Sequence, residues 1–267
     1  MKKSMIMGLA TGLLAISSCS TVPLTGRSRL SLVDDSVLQQ QAAIGYRQLL
    51  SDPSTKVVST NAAQSQMVKR VGARISAAVT QYMNQQGYGS QIQSYKWEFN
   101  LIDSKEINAW CMPGGKVAVY TGILPITQDE AGLATVMGHE IAHAIAQHSA
   151  ERASQMTLAQ VGGAAVGVAS NNSKYADYIN QAYGISGQLV ILKYGRNQEL
   201  EADKMGLSFM AMAGYNPSNA VGFWQRMSRA SANAAKPPAF LSTHPTDESR
   251  IAQIQRDLPE AMKYYKK

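Results

Sequence analysis

The stretch MGHEIAHAIAQHSAER, Met137 to Arg152, holds three of the four histidines in the chain: His139, His143 and His148. His139 and His143 are four positions apart. On a helix that is about 40° of rotation and one turn, so both imidazoles lie on one face and can reach one metal ion. Glu140 directly follows the first histidine, where a general base acting on a metal-activated water belongs. Leu133, Met137, Ile141, Ala144 and Ile145 supply an apolar stripe for packing, which makes this a core helix. Zinc is the metal these ligand types suit, and it brings the pKa of its water towards neutrality. On an unbroken helix His148 lies about 140° from His143 and about 180° from His139, so it binds only if the helix breaks first. Ala144, Ile145, Ala146 and Gln147 are all compatible with helix. His148 is therefore expected in a structural or helix C-terminal role.

A site with two histidines is unfinished, and RNQELEADKMG, Arg196 to Gly206, offers the missing ligand. Glu199 and Asp203 are again four apart and share a helical face, while Glu201 points away. Glu199 on a second helix completes a two-histidine, one-carboxylate site and leaves the fourth position to water. Asp203, one turn on, can accept a hydrogen bond from a ligand histidine and fix its tautomer.

The rest of the chain frames these two helices. TQDE, Thr127 to Glu130, has capping-box spacing and opens the histidine helix. An earlier helix starts at Asp34 or Asp35, and another places Met67, Val68, Val71, Ile75, Val79, Tyr82 and Met83 at helical spacing before Gly87 ends it. YKWEFNLID alternates Trp97, Phe99 and Leu101 against Glu98 and Asn100, as a half-buried strand does. A turn at Pro113–Gly115 leads to a second strand, Lys116–Thr121. Met156–Ser170 is small and apolar but too short to span a bilayer, so a packed helix or a mobile lid is expected there. The second site helix is expected from about Gln188 to Ala213, and Asn216 with Pro217 starts another. ASANAAKPPAF reads as a linker before a last helix. Without repeats or a domain boundary, one α+β, mainly helical domain over residues 33–267 is the simplest architecture.

The N-terminus reads differently. Lys2 and Lys3 precede an apolar run from Met5 to Ile16, then Ser17, Ser18 and Cys19. This is the layout of a secretory signal over residues 1–18, and its ISSC ending has the form of a bacterial lipobox with Cys19 as the acylated residue. Residues 19–32 are expected to be a polar tether. Ser20 instead of Asp in that position suits the outer membrane in the usual enterobacterial sorting pattern. Removing the signal takes two lysines, and the formal charge falls from +7 to +5. No dense Lys/Arg run with interleaved aromatics is present, which excludes nucleic acid as a partner. With Cys19 acylated, Cys111 has no partner for a disulfide.

HEIAHAIAQHSAER, NAWCMPGGKVAVYTGIL and RNQELEADKMG together resemble the gluzincin metallopeptidase family of HtpX, the CAAX prenyl protease and Oma, over roughly residues 57–257. The periplasmic LoiP-like and BepA-like lipoproteins are nearest in layout. The resemblance implies one zinc ion on His139, His143 and Glu199, with Glu140 as base, and favours Glu199 over Glu201. It also implies that an edge strand lines the cleft, with Asn108, Pro113, Gly114, Gly115 and Val117 binding substrate backbone by β-addition. His244 in STHPTDESR is expected to steady the oxyanion, and Arg250 to orient that segment. An inhibitory thiolate from Cys111 on the zinc is a weaker alternative. The family reading is a zinc endopeptidase, lipid-anchored on the periplasmic face. Its substrates would be misfolded or unassembled envelope proteins, with outer-membrane assembly machinery as a possible partner. The competing reading is a non-catalytic zinc chaperone or assembly factor.

Overall fold

The apolar stripes read from the sequence are the faces that pack. A computed structural model describes residues 19–166, 194–232, 237–245 and 248–266. Residues 1–18, expected to be a signal, lie outside them, as does the part of the expected lid beyond Val166. The helices are α1 (Asp35–Ser51), α2 (Ala63–Gln85), a short α3 (Gly89–Ile92), α4 (Leu124–Thr127), α5 (Glu130–Ile145), α6 (His148–Val166), α7 (Arg196–Met212), α8 (Asn219–Ala232), a short α9 (Ala239–Thr243) and α10 (Glu248–Met262). The strands are β1 (Cys19–Thr21), β2 (Ser28–Leu30), β3 (Glu98–Ile102), β4 (Ala109–Met112) and β5 (Lys116–Tyr120). Among the described residues the fold is mainly helical with two small sheets, as the α+β expectation required.

Helix α5 is the axle of the domain. Every residue from Gly132 to Ile145 is buried, and α2, α4, α7, α8 and β4 all pack on it. Its N-cap is Asp129, whose carboxylate accepts from the Gly132 N–H at 2.8 Å. Thr127 had been expected to cap this helix but belongs to α4, where its hydroxyl donates to the Leu124 carbonyl. The carboxylate is the better acceptor beside the positive end of the helix. Asp34 caps α1 in the same way. On α2 the apolar positions Val68, Val71, Ile75, Val79 and Met83 are buried, and Gly87 follows the helix at φ +81°.

The three-stranded sheet has the order β3-β5-β4, with β5 parallel to β3 and antiparallel to β4. Val117 therefore sits on the central strand, opposite Cys111, and is fully buried. The edge facing α5 is β4, a strand the sequence had not separated from its turn. Helix α7 starts at Arg196, not near Gln188; residues 188–193 lie outside the described set. Its first N–H groups are helped by Gln198, whose side-chain oxygen accepts from Gly195 N–H at 3.2 Å.

Residues 19–32 are not a loose tether. Strands β1 and β2 form an antiparallel hairpin with Cys19 opposite Leu30. Val22 in it is fully buried, and the Ser154 hydroxyl of α6 accepts from Leu32 N–H at 2.9 Å and Val33 N–H at 3.0 Å. A polar segment orders here because its donors find partners on α6. Among the described residues no helix is long and apolar enough to cross a membrane.

Candidate metal centre

Helices α5 and α7 cross where neither carries a side chain. A β-carbon on Gly138 would lie 2.9 Å from the Gly206 carbonyl oxygen, and one on Gly206 would lie 2.8 Å from the His139 nitrogen. Two glycines thus let the backbones touch, and the contact sits beside His139. His139 and His143 come from α5, Glu199 from the first turn of α7, and His244 from the C-cap of α9. One donor atom from each of these four lies within 4.8 Å of the other three.

The spacing comes close to what one zinc ion needs. A tetrahedral ion with bonds of about 2.0–2.2 Å holds its donors about 3.3–3.6 Å apart. His139 Nε2 lies 3.1 Å from His143 Nε2, 3.2 Å from His244 Nδ1 and 3.5 Å from Glu199 Oε2. Glu199 Oε1 lies 3.4 Å from His143 Nε2 and 3.0 Å from His244 Nδ1. All four residues are at most 2% exposed. Burial drives the His143 imidazole strongly towards its neutral, ligating form. Burial alone would raise the Glu199 carboxyl, but His244 and the hydrogen bonds of His139 and His143 hold it far below the usual carboxylate range.

Glu140 stands next to this cluster. Its Oε1 is 3.4 Å from His244 Nε2, and neither of these buried atoms has a hydrogen-bond partner. Burial pushes the Glu140 carboxyl up to about 7, against the pull of His244 and of the Cys111 backbone N–H on β4. Asp203 fixes His139: its Oδ1 lies 2.9 Å from His139 Nδ1. Arg250 on α10 donates from Nε to Asp203 Oδ2 at 2.6 Å and pairs with Glu199 Oε2 at 2.8 Å. It also donates to the Pro245 carbonyl at 2.8 Å and lies 4.0 Å over the Trp224 ring. One guanidinium thus ties α7, α10 and the His244 segment together.

The sequence pattern of peptidase family M48 matches residues 64–257. The chain belongs to peptidase family M48. It is similar to the mitochondrial metalloendopeptidase OMA1 of Schizosaccharomyces pombe, 33% identical over 90% of this chain and 66% of that protein. The human metalloendopeptidase OMA1 is 29% identical over 90% of this chain and 46% of its own length. The putative β-barrel assembly-enhancing protease of Vibrio cholerae is 35% identical over 57% of this chain and 33% of its own length. The chain thus spans from a third to two thirds of the length of these M48 relatives.

The M48 centre brings His139, Glu140, His143, Glu199, Asp203, His244 and Arg250 together. Of the residues expected to bind substrate, Asn108 is buried next to β4, and its side chain accepts from its neighbour Ala109 N–H at 2.9 Å. The turn at Gly114 and Gly115 packs near Gln39 and Trp97. Cys111 is buried, its thiol is raised by burial and then by Glu140, and it lies outside the ligand cluster. A surface groove of about 910 Å³ lies between α2 and the outer strand β3, lined by Trp97, Phe99 and Asn100, and takes no part in the centre.

Three features around the M48 centre went unread in the sequence. Tyr194 stacks on His143 with ring centroids 3.9 Å apart. Trp224 meets His139 edge-on at 5.6 Å, so an aromatic wall backs both histidines. Helix α5 stops at Ile145, and Gln147 takes φ +54°. That break brings His148 back until its Nδ1 is 2.7 Å from His143 Nδ1. His148 is not among the four clustered donors, and the unbroken helix behind its expected role does not exist.

Proposed function

We propose that this chain is a zinc-dependent endopeptidase whose substrates are misfolded or unassembled proteins of the cell envelope. The observation that carries it is the convergence of His139, His143 and Glu199 on one point with the buried, half-unpartnered carboxylate of Glu140 beside it. A purely structural zinc site has no use for that carboxylate. Zinc held by His139, His143 and Glu199 would supply Lewis acidity towards water and a peptide carbonyl. Glu140 accepts the proton of the attacking water and delivers it to the departing amine. Asp203 holds His139 in the tautomer that leaves Nε2 free, and Arg250 neutralises the surrounding carboxylates.

His244 has two possible posts within one ring's breadth. Its Nδ1 joins the ligand cluster and its Nε2 faces Glu140. Four protein ligands make a closed site, whereas a catalytic one keeps a position open. Our reading places His244 beside the ion, facing the substrate oxyanion. Strand β4 presents its edge next to Glu140, which suits extended peptide backbone of little sequence preference.

The metalloendopeptidase and β-barrel assembly-enhancing names of the relatives support the activity and the envelope setting. We further infer that residues 1–18 are a lipoprotein signal, that Cys19 is acylated, and that the domain faces the periplasm from the outer membrane; the exposed position of Cys19 supports this. The test is the purified protein with measured zinc, and casein cleavage compared with Glu140→Gln. Zinc-loaded wild type cleaving and zinc-loaded Glu140→Gln silent is the expected result; equal cleavage by both, or cleavage that survives a chelator, defeats the proposal.

A further inference from the structure

We infer that His148, Glu201 and Arg27 position the ligand His143, so that the grip on zinc depends on the N-terminal hairpin. The inference rests on the zinc reading above and adds residues that reading does not use. It follows from counting protons along a buried chain of contacts. His143 turns Nε2 towards the other donors, 3.1 Å from His139 Nε2. To ligate a metal, Nε2 must offer a lone pair, so the neutral ring carries its proton on Nδ1. That Nδ1 lies 2.7 Å from His148 Nδ1, which must then accept. His148 is left with its proton on Nε2, and Nε2 lies 2.9 Å from Glu201 Oε2. An ionised carboxylate can only accept. Glu201 therefore sets the tautomer of His148, and His148 sets the tautomer of His143. Run the other way, the chain would put a proton on His143 Nε2, among the ligand atoms.

The carboxylate at the end of this relay is held by the hairpin. Thr25 donates its hydroxyl to Glu201 Oε1 at 2.5 Å, and Arg27 donates from Nε to Oε2 at 2.8 Å. Two further nitrogens of Arg27 reach Glu151 at 2.6 and 2.8 Å, and Gln198 of α7 donates to the same carboxylate at 2.9 Å. Arg29, from the second hairpin strand, donates to the side chain of Gln147. Gln147 is the residue whose left-handed backbone returns His148 to the site, a conformation that is unfavourable for a non-glycine residue and needs support. One hairpin arginine thus braces the helix break and the other braces the carboxylates. The two ligand histidines are served differently: His139 meets its carboxylate, Asp203, directly, whereas His143 meets Glu201 through an intervening imidazole.

The test measures zinc affinity of the purified full chain by competition with a chromogenic chelator. Arg27 is a third exposed, so Arg27→Ala is the gentle variant, and His148→Asn is its partner. The Asn amide oxygen stands near the position of Nδ1 and still accepts from His143, but the side chain is too short to reach Glu201. Loss of a hydrogen-bond partner of a ligand histidine typically weakens metal binding 10–100-fold. Arg27→Ala, one step further out, is expected to weaken zinc about 10-fold in the wild-type background, and by less than about twofold when His148 is already Asn. The same loss in both backgrounds, or none in the wild type, overturns the relay while leaving the zinc site standing. A wild-type chain that binds no zinc defeats the zinc reading itself and takes the relay with it.

Discussion

Asp203 and Arg250 form a two-pronged pair, Nε to Oδ2 at 2.6 Å and a terminal nitrogen to Oδ1 at 2.9 Å, and the same Oδ1 lies 2.9 Å from His139 Nδ1. Asp203→Asn keeps the shape and removes the charge. Zinc affinity should fall about 10–100-fold. The Arg250 guanidinium, buried with one fewer counter-charge, should lower stability by roughly 3 kcal/mol. Chelator competition and denaturant melts of the zinc-free protein read the two effects separately.

The Gly138–Gly206 crossing predicts a backbone effect. Gly206→Ala places a methyl 2.8 Å from the His139 nitrogen, which no rotamer can relieve. The helices must part, at a cost of about 1–3 kcal/mol. Glu199 moves with α7, so zinc affinity should fall with the melting temperature. An alanine variant with unchanged affinity would show that the contact does not set the site.

His244→Ala separates the two posts of that ring. Acting on the oxyanion, it should be lost at a cost of about 10²–10³ in kcat, with zinc retained to within a few-fold. A large loss of zinc instead identifies His244 as the fourth ligand. Parallel metal titration and peptidase kinetics decide.

The Glu201 carboxylate gives a pH prediction. Burial alone would raise it, but hydrogen bonds from His148, Arg27 and Thr25 bring it down to about 2 from an ordinary 4.5. A carboxylate depressed in the folded state stabilises the fold above its unfolded pKa, and that contribution drains away as pH falls from about 4.5 towards 2. In zinc-free protein, where ligand protonation no longer dominates, Glu201→Gln should be less stable than wild type near neutrality. The gap should narrow between pH 4.5 and 2. Urea melts across that range test it, and a constant gap refutes the assignment.

The histidine helix and the candidate site were legible because helical spacing is local: His139, His143, Glu199 and Asp203 follow from steps of four. Position 148 was not, because Gln147 leaves the helix through contacts with Arg29, more than a hundred residues earlier, and nothing in Ala144–Gln147 announces a stop. The hairpin at 19–30 was hidden for the same reason. Its turn residues read as solvated chain, and its order comes from Ser154, Glu151 and Glu201. Val117 was assigned to an edge because one strand was missed; once Ala109–Met112 pairs outside it, Lys116–Tyr120 becomes central. Residues 137–152 thus contain two candidate ligands, the proposed base and a left-handed break at Gln147 that brings His148 against His143.

Cys19 is the first residue of β1, and its backbone is already paired with Leu30. If this cysteine carries the proposed lipid, no slack chain separates the bilayer from the folded domain. Each added residue of extended linker would contribute at most about 3.5 Å of reach, so a spacer inserted after Cys19 should widen the shell of accessible substrates in proportion, measurable with reporters tethered at graded heights above a vesicle. Under that proposal the domain would reach only the surface on which it rides, and its selectivity would be one of altitude before it is one of sequence.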